Sequence, residues 1–367
     1  MRVGIIGCGQ LARMMALSGW AMRVDFAFLA SAGEGTACVE GLGPVVSHCA
    51  GQTPGEVFHA LGEPDVVTVE RERVDLELLR GLTEFCAVYP NPDAVAACGD
   101  RFGEKRLLDS AGIASAPYRI AQSAQDVPAA ATQLGLPVVV KNPTEGYDGK
   151  QQWHILDEQQ LQAFTEQNPP GAWLVESRIA FEREISLIAA RSPNGDVKVY
   201  PPTENRHHEG ILITSVAPAD GLEERIAQTG AQNIRTLLET MNYVGVMAME
   251  CFVTADSLLV NELAPRVHNS GHWTMNGDVT SQFENHLRAI LGLPLGATSG
   301  NQHYGMINLL GDYDHPELLT ALSADAHLHD YNKSPAPRRK RGHINVSSQD
   351  RDAVLTELAR HHDRLYG

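Results

Sequence analysis

The chain has 367 residues, enough for two or three domains, and 43% of them are hydrophobic, which argues against disorder. Acidic residues outnumber basic ones 45 to 29, and the formal net charge of −16 argues against a general nucleic-acid or membrane-surface binder while leaving room for a local basic pocket. The six cysteines show no Cys-x-x-Cys pair or zinc spacing, no run approaches the ~18 apolar residues of a membrane span, and Met1-Arg2-Val3-Gly4-Ile5-Ile6-Gly7 lacks the apolar segment of a secretory signal, so reduced thiols and a cytoplasmic location are expected.

Residues 1–98 read as a first α/β unit. Val3 to Ile6 is a short buried strand, and the glycine turn Gly7-Cys8-Gly9-Gln10-Leu11-Ala12 opens a helix. Further strands fall at Arg23 to Leu29, Asp65 to Glu70 and Cys86 to Tyr89, and alternation of strand with helix predicts a parallel sheet. Gly7-x-Gly9-x-x-Ala12 is similar to a dinucleotide fingerprint, whose amides hold phosphate. The region after the second strand, Phe28 to Gly33, has no carboxylate for a ribose, which argues against a nicotinamide cofactor. The charged run Glu70-Arg71-Glu72-Arg73 lies just past a strand's C-terminal end, where open α/β sheets bind ligands; a solvated loop with local ion pairs is the alternative.

A middle unit spans 99–296. Asp100 to Leu108 is an amphipathic helix carrying Arg101, and Tyr118 to Ala121 begins the next strand. Leu136 to Lys141 is a buried strand ending in a lysine, a residue seldom buried without a partner. The polar loop through Gly146, Tyr147, Asp148, Gly149, Lys150, Gln151 and Gln152 then returns to a strand at Trp153. Strand, lysine, glycine loop and strand make a hairpin suited to covering phosphates, and the Gly-Lys-Ser/Thr ending of a P-loop is absent. Trp173 to Glu176 is another buried strand, and the segment after it (Ser177, Arg178, Ile179) can line an adenine pocket with backbone groups. Glu182 to Arg191 is a strand; in the polar stretch that follows, adjacent His207 and His208 point opposite ways, which argues against a two-histidine metal site. A long helix runs from Asp220 to Met241.

The stretch from Val244 to Thr274 carries the densest chemistry. Two strand-like runs, each with one carboxylate (Glu250 and Glu262), flank a turn. A three-residue loop at Ala255 to Ser257 would set the two carboxylates opposite each other on one face, whereas a two-residue loop would separate them. Facing like charges are destabilising, and a divalent cation removes the penalty. Hard oxygen ligands suit Mg²⁺ held between carboxylates and nucleotide phosphates. Asn261, Arg266, His268, Asn269 and Ser270 follow in a dense polar run. A helix at Val279 to Leu291 and the turn ending at Gly296 close the middle unit. The remainder, 297–367, is a small segment with a strand at Gly305 to Leu310 and a basic cluster from Lys333 through Arg338, Arg339, Lys340 and Arg341 to His343, suited to a phosphate or else a solvated loop.

The order of elements resembles the ATP-grasp superfamily, and within it the family of 5-(carboxyamino)imidazole ribonucleotide synthases of purine biosynthesis. The motifs Gly245 to Phe252, Asn261 to Thr274, Gly146 to Lys150, Glu204 to His207, Gly210 to Leu212 and Lys340 to His343 carry it across nearly the whole chain. The resemblance implies an α/β (α+β) fold of three parts: a Rossmann-like first domain, an ATP-grasp domain of two subdomains, and a small β-rich C-terminal domain. It implies Mg²⁺ on Glu250 and Glu262, ATP contacts at Arg101, Lys141, Glu176, Glu184, His207, Asn261, Glu262, the polar loop 146–152 and Ser177 to Ile179, and a usual homodimer. Tyr147, Asp148, Arg266, His268, Asn269, Ser270, Lys333 and Arg339 fall on positions for 5-aminoimidazole ribonucleotide, with Lys141, Arg266, His268 and Asn269 at the reacting groups. The implied activity is ATP- and bicarbonate-dependent carboxylation of that ribonucleotide. Glu145 and Gln151 stand where the family has glycine, Gly99 where it has glutamine, and Val69 to Arg73 where it reads Phe-Glu-Phe-Glu-Asn. The alternatives are another ATP-grasp ligase, such as a formate-using glycinamide ribonucleotide transformylase, and a weak nucleotide-binding paralogue.

Overall fold

The computed structural model describes residues 1–144, 152–313 and 315–367. The chain opens as the alternation predicts. Val45–Ser47, Asp25–Ala30, Arg2–Ile6, Val66–Val69 and Ala87–Val88 form a parallel sheet in that spatial order. Its inner strands are buried on both faces, which is why they read as continuous apolar runs rather than alternating ones. The short helices Pro54–Ala60 and Leu76–Leu82, which the sequence reading passed over, are started by Thr53 and Asp75, whose side chains accept from backbone amides of the first turn.

A small antiparallel sheet follows in the order Tyr118–Ala121, Trp173–Ser177, Val138–Lys141 and Gln152–Ile155. It brings Lys141 and Glu176 to neighbouring strands. The largest sheet is antiparallel and has nine strands. From one edge the order is Leu258–Ala264, Gly245–Val253, Arg183–Arg191, Thr203–His208, Ile211–Ala217, His303–Leu310, Lys340–Ser348 and Ala326–Asp330, with Val197–Val199 beside Arg183–Arg191. The strands after residue 297 therefore continue the sheet of the middle unit. The basic run is half strand: Lys340 opens a nine-residue strand that the helix Arg351–Tyr366 helps to cover.

One apolar core joins the first unit to the large sheet. Met14 and Met15 of helix Gln10–Trp20 share it with Phe283 and Leu287 of helix Gln282–Ile290 and with Val246 and Ala248 of the sheet. No helix among the described residues is long and apolar enough to cross a membrane.

Candidate active site

The acidic hairpin lies at an edge of the large sheet. Its turn has four residues, Thr254 to Ser257, not three: the Thr254 amide donates to the Ser257 carbonyl (3.0 Å) and the Ser257 amide to Thr254 Oγ1 (3.1 Å). That register pairs Val253 with Leu258 and Cys251 with Val260, and continued unchanged it would turn Glu262 to the opposite face from Glu250. A β-bulge takes up Asn261, and Glu250 then pairs directly with Glu262. The facing pair expected from the sequence is present, but the bulge produces it rather than the loop length. Met249, Cys251, Val260 and Leu263 stay in the core on the other side of the strands.

Cations reach the hairpin from the helix Arg101–Ser110. Asp100 caps it, accepting from the Phe102 (2.8 Å) and Gly103 (2.9 Å) amides. Arg101, Glu104 and Lys105 share one helix face by their spacing. Arg101 Nη1 stands 3.8 Å from Glu262 Oε2. Glu104 Oε2 accepts from the Leu263 amide at 2.8 Å, and burial pushes its carboxyl up to about 7. Lys105 Nζ lies 2.6 Å from Glu176 Oε1, and Lys141 pairs with the other Glu176 oxygen. Lys141 Nζ also donates to Asn261 Oδ1 at 3.4 Å. The partner of the strand-end lysine is thus a shared glutamate. Burial alone would raise the Glu176 carboxyl, yet Lys141 and Lys105 hold it down at about 2. Glu104 and Lys105 were not singled out from sequence; their spacing from Arg101 on a capped helix was the available signal.

On the other side of the hairpin, burial pushes Glu250 up to about 7; His207 opposes the shift, and Glu262 and Glu184 add to it. His207 Nδ1 meets Glu184 Oε2 at 2.9 Å, and although burial disfavours its charged form, Glu184 and Glu250 raise its pKa. His268 Nε2 lies 3.6 Å from Glu250 Oε1, and its Nδ1 meets Ser270 Oγ at 2.8 Å. Burial, with Arg266 nearby, pushes His268 well below its ordinary value and keeps it neutral. Arg266 pairs with the buried Glu72 and donates to the Val267 carbonyl at 2.9 Å. The Asn269 side-chain oxygen and nitrogen are both buried and find no hydrogen-bond partner among the described residues. Phe181 stacks on Phe252 with centroids 4.6 Å apart, an apolar plate two residues along the strand from Glu250 that the sequence did not reveal.

The charged run after Val66–Val69 divides in two. Glu72 joins the site through Arg266, whereas Glu70 turns back on its own unit. It accepts from the Gly9 amide and, at 2.9 Å, from the Ala12 amide, so the glycine turn that resembles a phosphate cradle is already filled. A Cβ at Gly7, whose φ is +117°, would meet Glu70 Cγ at 2.4 Å, and one at Gly9 would meet its Oε1 at 2.7 Å. A phosphate at this turn would have to displace Glu70.

The basic run is sorted in the same way. Arg338 pairs with Glu209, and Arg341 with Asp312 at 3.0 Å. Lys333 and Arg339 bond neutral groups instead: Lys333 donates to Gln10 Oε1 and Arg339 Nη1 to Ser334 Oγ (3.0 Å). Of the polar loop, Gly146, Tyr147, Asp148, Gly149, Lys150 and Gln151 lie outside the described residues; Gln152 pairs with Lys141 across the ladder. The Ser177 and Arg178 amides donate to the Pro117 (2.8 Å) and Pro137 (3.0 Å) carbonyls, so neither is a donor for a ligand; Ile179 next to them is half-buried.

No group of three or more histidines, cysteines or carboxylates suited to a metal occurs among the described residues. Two facing carboxylates, one raised by burial, fit a hard cation whose other ligands come from phosphate oxygens.

Residues 106–283 match the ATP-grasp domain, residues 1–98 the ribonucleotide synthetase preATP-grasp domain, and residues 305–357 the phosphoribosylaminoimidazole carboxylase C-terminal domain. Fold and acidic hairpin together define an ATP-grasp protein. The chain is 40% identical to the N5-carboxyaminoimidazole ribonucleotide synthase of Vibrio cholerae, over 95% of this chain and 91% of the relative. The Pseudomonas aeruginosa enzyme of the same name is 38% identical over 98% of both. The N5-carboxyaminoimidazole ribonucleotide synthetase structure from Thermus thermophilus superposes with a TM-score of 0.90 at 36% identity, covering 99% of this chain and 98% of that one. A structure of the Aspergillus clavatus synthase with ADP and 5-aminoimidazole ribonucleotide gives 0.88 at 27% identity, covering 99% and 98%. This chain belongs to the N5-carboxyaminoimidazole ribonucleotide synthase family.

Proposed function

We propose that the chain uses ATP and bicarbonate to carboxylate 5-aminoimidazole ribonucleotide, releasing ADP and phosphate, as a ligase of purine (IMP) biosynthesis. The observation that carries this reading is the facing pair Glu250 and Glu262, with Arg101 and Lys141 on one side and His268 and Arg266 on the other. ATP lies along Arg101, Lys141, Glu176, Glu184, His207, Asn261 and Glu262 under the polar loop, and the Phe181–Phe252 plate offers an apolar face to its base. Glu250 and Glu262 would hold Mg²⁺, which neutralises phosphate charge during transfer.

A bicarbonate oxygen attacks the γ-phosphorus, ADP departs, and carboxyphosphate forms. Its breakdown delivers CO₂ beside the exocyclic amine of the ribonucleotide, which forms the new C–N bond and loses a proton. His268, neutral in the free protein and held through Nδ1 by Ser270, stands at the reacting end of the ribonucleotide. Arg266, Asn269 and Ser270 orient the ring, with Tyr147 and Asp148 closing from the loop, and Lys333 and Arg339 clamp the 5′-phosphate. Asn269 supports this role because its buried amide has both a donor and an acceptor unspent on the described chain. Functional boundaries follow at 1–98, 99–296 and 297–367, in a homodimer acting in the cytoplasm.

The test is phosphate release from ATP with bicarbonate, with and without 5-aminoimidazole ribonucleotide. Stimulation by that ribonucleotide is expected. Stimulation only by formate with glycinamide ribonucleotide would replace this reading with the formate-using one, and no stimulation by either would indicate a nucleotide-binding paralogue.

A further inference from the structure

The Lys105–Glu176–Lys141 cluster has an unequal charge count. One carboxylate is shared by two ammonium groups, Lys105 on one oxygen at 2.6 Å and Lys141 on the other. Asn261, the remaining neighbour of Lys141, is neutral. Among these described side chains one positive charge is left over; Glu104, which also feels Lys105, is pushed up to about 7 by burial and so is only partly ionised. The two lysines differ in access: the Lys105 side chain is 1% exposed, with Nζ 5.7 Å from the centre of the Tyr118 ring, while the Lys141 side chain is 9% exposed at the end of its strand. Lys105 is thus walled off from any ligand.

We propose that Lys105 is a positioning residue: by occupying one oxygen of Glu176 it keeps Lys141 from being neutralised there and leaves a net positive charge for the nucleotide phosphates. This rests on the reading of Lys141 as a phosphate ligand. Without Lys105 the cluster becomes a one-to-one buried pair. A phosphate would then have to break that pair before using Lys141, and breaking a buried pair is costly. The fixed geometry follows from the fold. Lys105 is on the helix that also carries Arg101 and Glu104 to the hairpin, and the Glu104 bond to the Leu263 amide ties that helix to the acidic edge. Lys105 therefore reports to the metal hairpin and to Lys141 through one rigid element. The depressed Glu176 carboxyl agrees with a doubly compensated anion.

The experiment measures Mg·ADP affinity by calorimetry and the KM values for ATP and ribonucleotide. Lys105→Met is expected to weaken ADP binding and raise the KM for ATP by about tenfold or more, leaving the KM for ribonucleotide within about threefold. Lys105→Arg keeps the charge and should stay near wild type. Adding Glu176→Gln to Lys105→Met removes the carboxylate that would neutralise Lys141 and should recover ADP affinity to that of Glu176→Gln alone. Unchanged ADP affinity in Lys105→Met overturns the proposal, and so does a loss that the second substitution does not relieve, because a purely structural role would give no rescue. If Lys105→Met does not fold, the double variant is compared with Glu176→Gln. Equal affinity supports the proposal, and a further loss of about tenfold overturns it. Lys141→Met separates the two layers of the argument. If it leaves ADP binding intact, the nucleotide reading of Lys141 fails; if it abolishes binding while Lys105→Met does not, only the positioning role fails.

Discussion

Glu70 and Glu250 are two carboxylates that burial raises above their ordinary range, and the chain treats them in opposite ways. Glu70 is met by two backbone amides at the start of a helix that has no side-chain cap of its own. It closes an anion site. Glu250 faces another carboxylate; the neutral His268 ring lies 3.6 Å away, and the charge that most opposes its upward shift is that of His207. A carboxylate whose lone pairs are answered by its own backbone serves structure, and one set against a like charge is held for a ligand. Substitutions at the two carboxylates test that difference.

The largest effect is expected at the facing pair. Glu262→Gln keeps the shape and removes one charge, so ATP turnover should fall by about a hundredfold or more while circular dichroism of the free protein stays unchanged. Near-normal turnover would mean that the facing pair is not a metal site. Next comes the clamp proposed for the ribonucleotide. Arg339→Ala should raise the KM for ribonucleotide roughly ten- to a hundredfold, the equivalent of one charge-assisted hydrogen bond. The slow bicarbonate-dependent ATP hydrolysis without ribonucleotide should survive. Weakened ATP binding with normal ribonucleotide binding would move the basic cluster to the nucleotide.

At the answered carboxylate the effect should be on stability alone. Glu70→Gln turns one acceptor into a donor facing an amide, which costs about 1–3 kcal/mol in denaturant unfolding with turnover within about threefold. A large loss of turnover at unchanged stability would show that Glu70 touches substrate.

The smallest effect is in the pH dependence of the metal-free protein. Glu250 titrates near 7 when folded, against an ordinary value of 4.5. The folded chain binds more protons between those values, so this contribution is fully present below about pH 4.5 and is lost as pH rises through about 7. Glu250→Gln should leave stability in chelator unchanged at acid pH and raise it by roughly 1–2 kcal/mol at pH 8, discounted because the side chain is 19% exposed. Equal stabilities at pH 8 would show that the facing charges impose no strain.

What the sequence by itself determined is what short-range patterning encodes. The parallel first unit follows from continuous apolar runs between helices, and the acidic hairpin from two apolar strand-like runs with one glutamate each. Lys141 stands out in the sequence because a lysine ending an apolar run demands a partner, which the structure supplies as Glu176, and Lys333 and Arg339 because they stand in a basic run within an acidic chain. The tertiary structure decided which partner each group takes. Asn261 forms a bulge because both the side-chain-closed turn and the buried Val260 and Leu263 must be satisfied, and that bulge alone sets Glu250 against Glu262. Glu70 crosses 58 positions to reach the Ala12 amide, and Glu104 crosses 159 to reach that of Leu263. Glu176 collects its two lysines from a helix and a neighbouring strand. Periodicity specifies which face a side chain occupies; it carries no information about what packing brings to that face, and whether a carboxylate fills an anion site or faces a like charge is settled there.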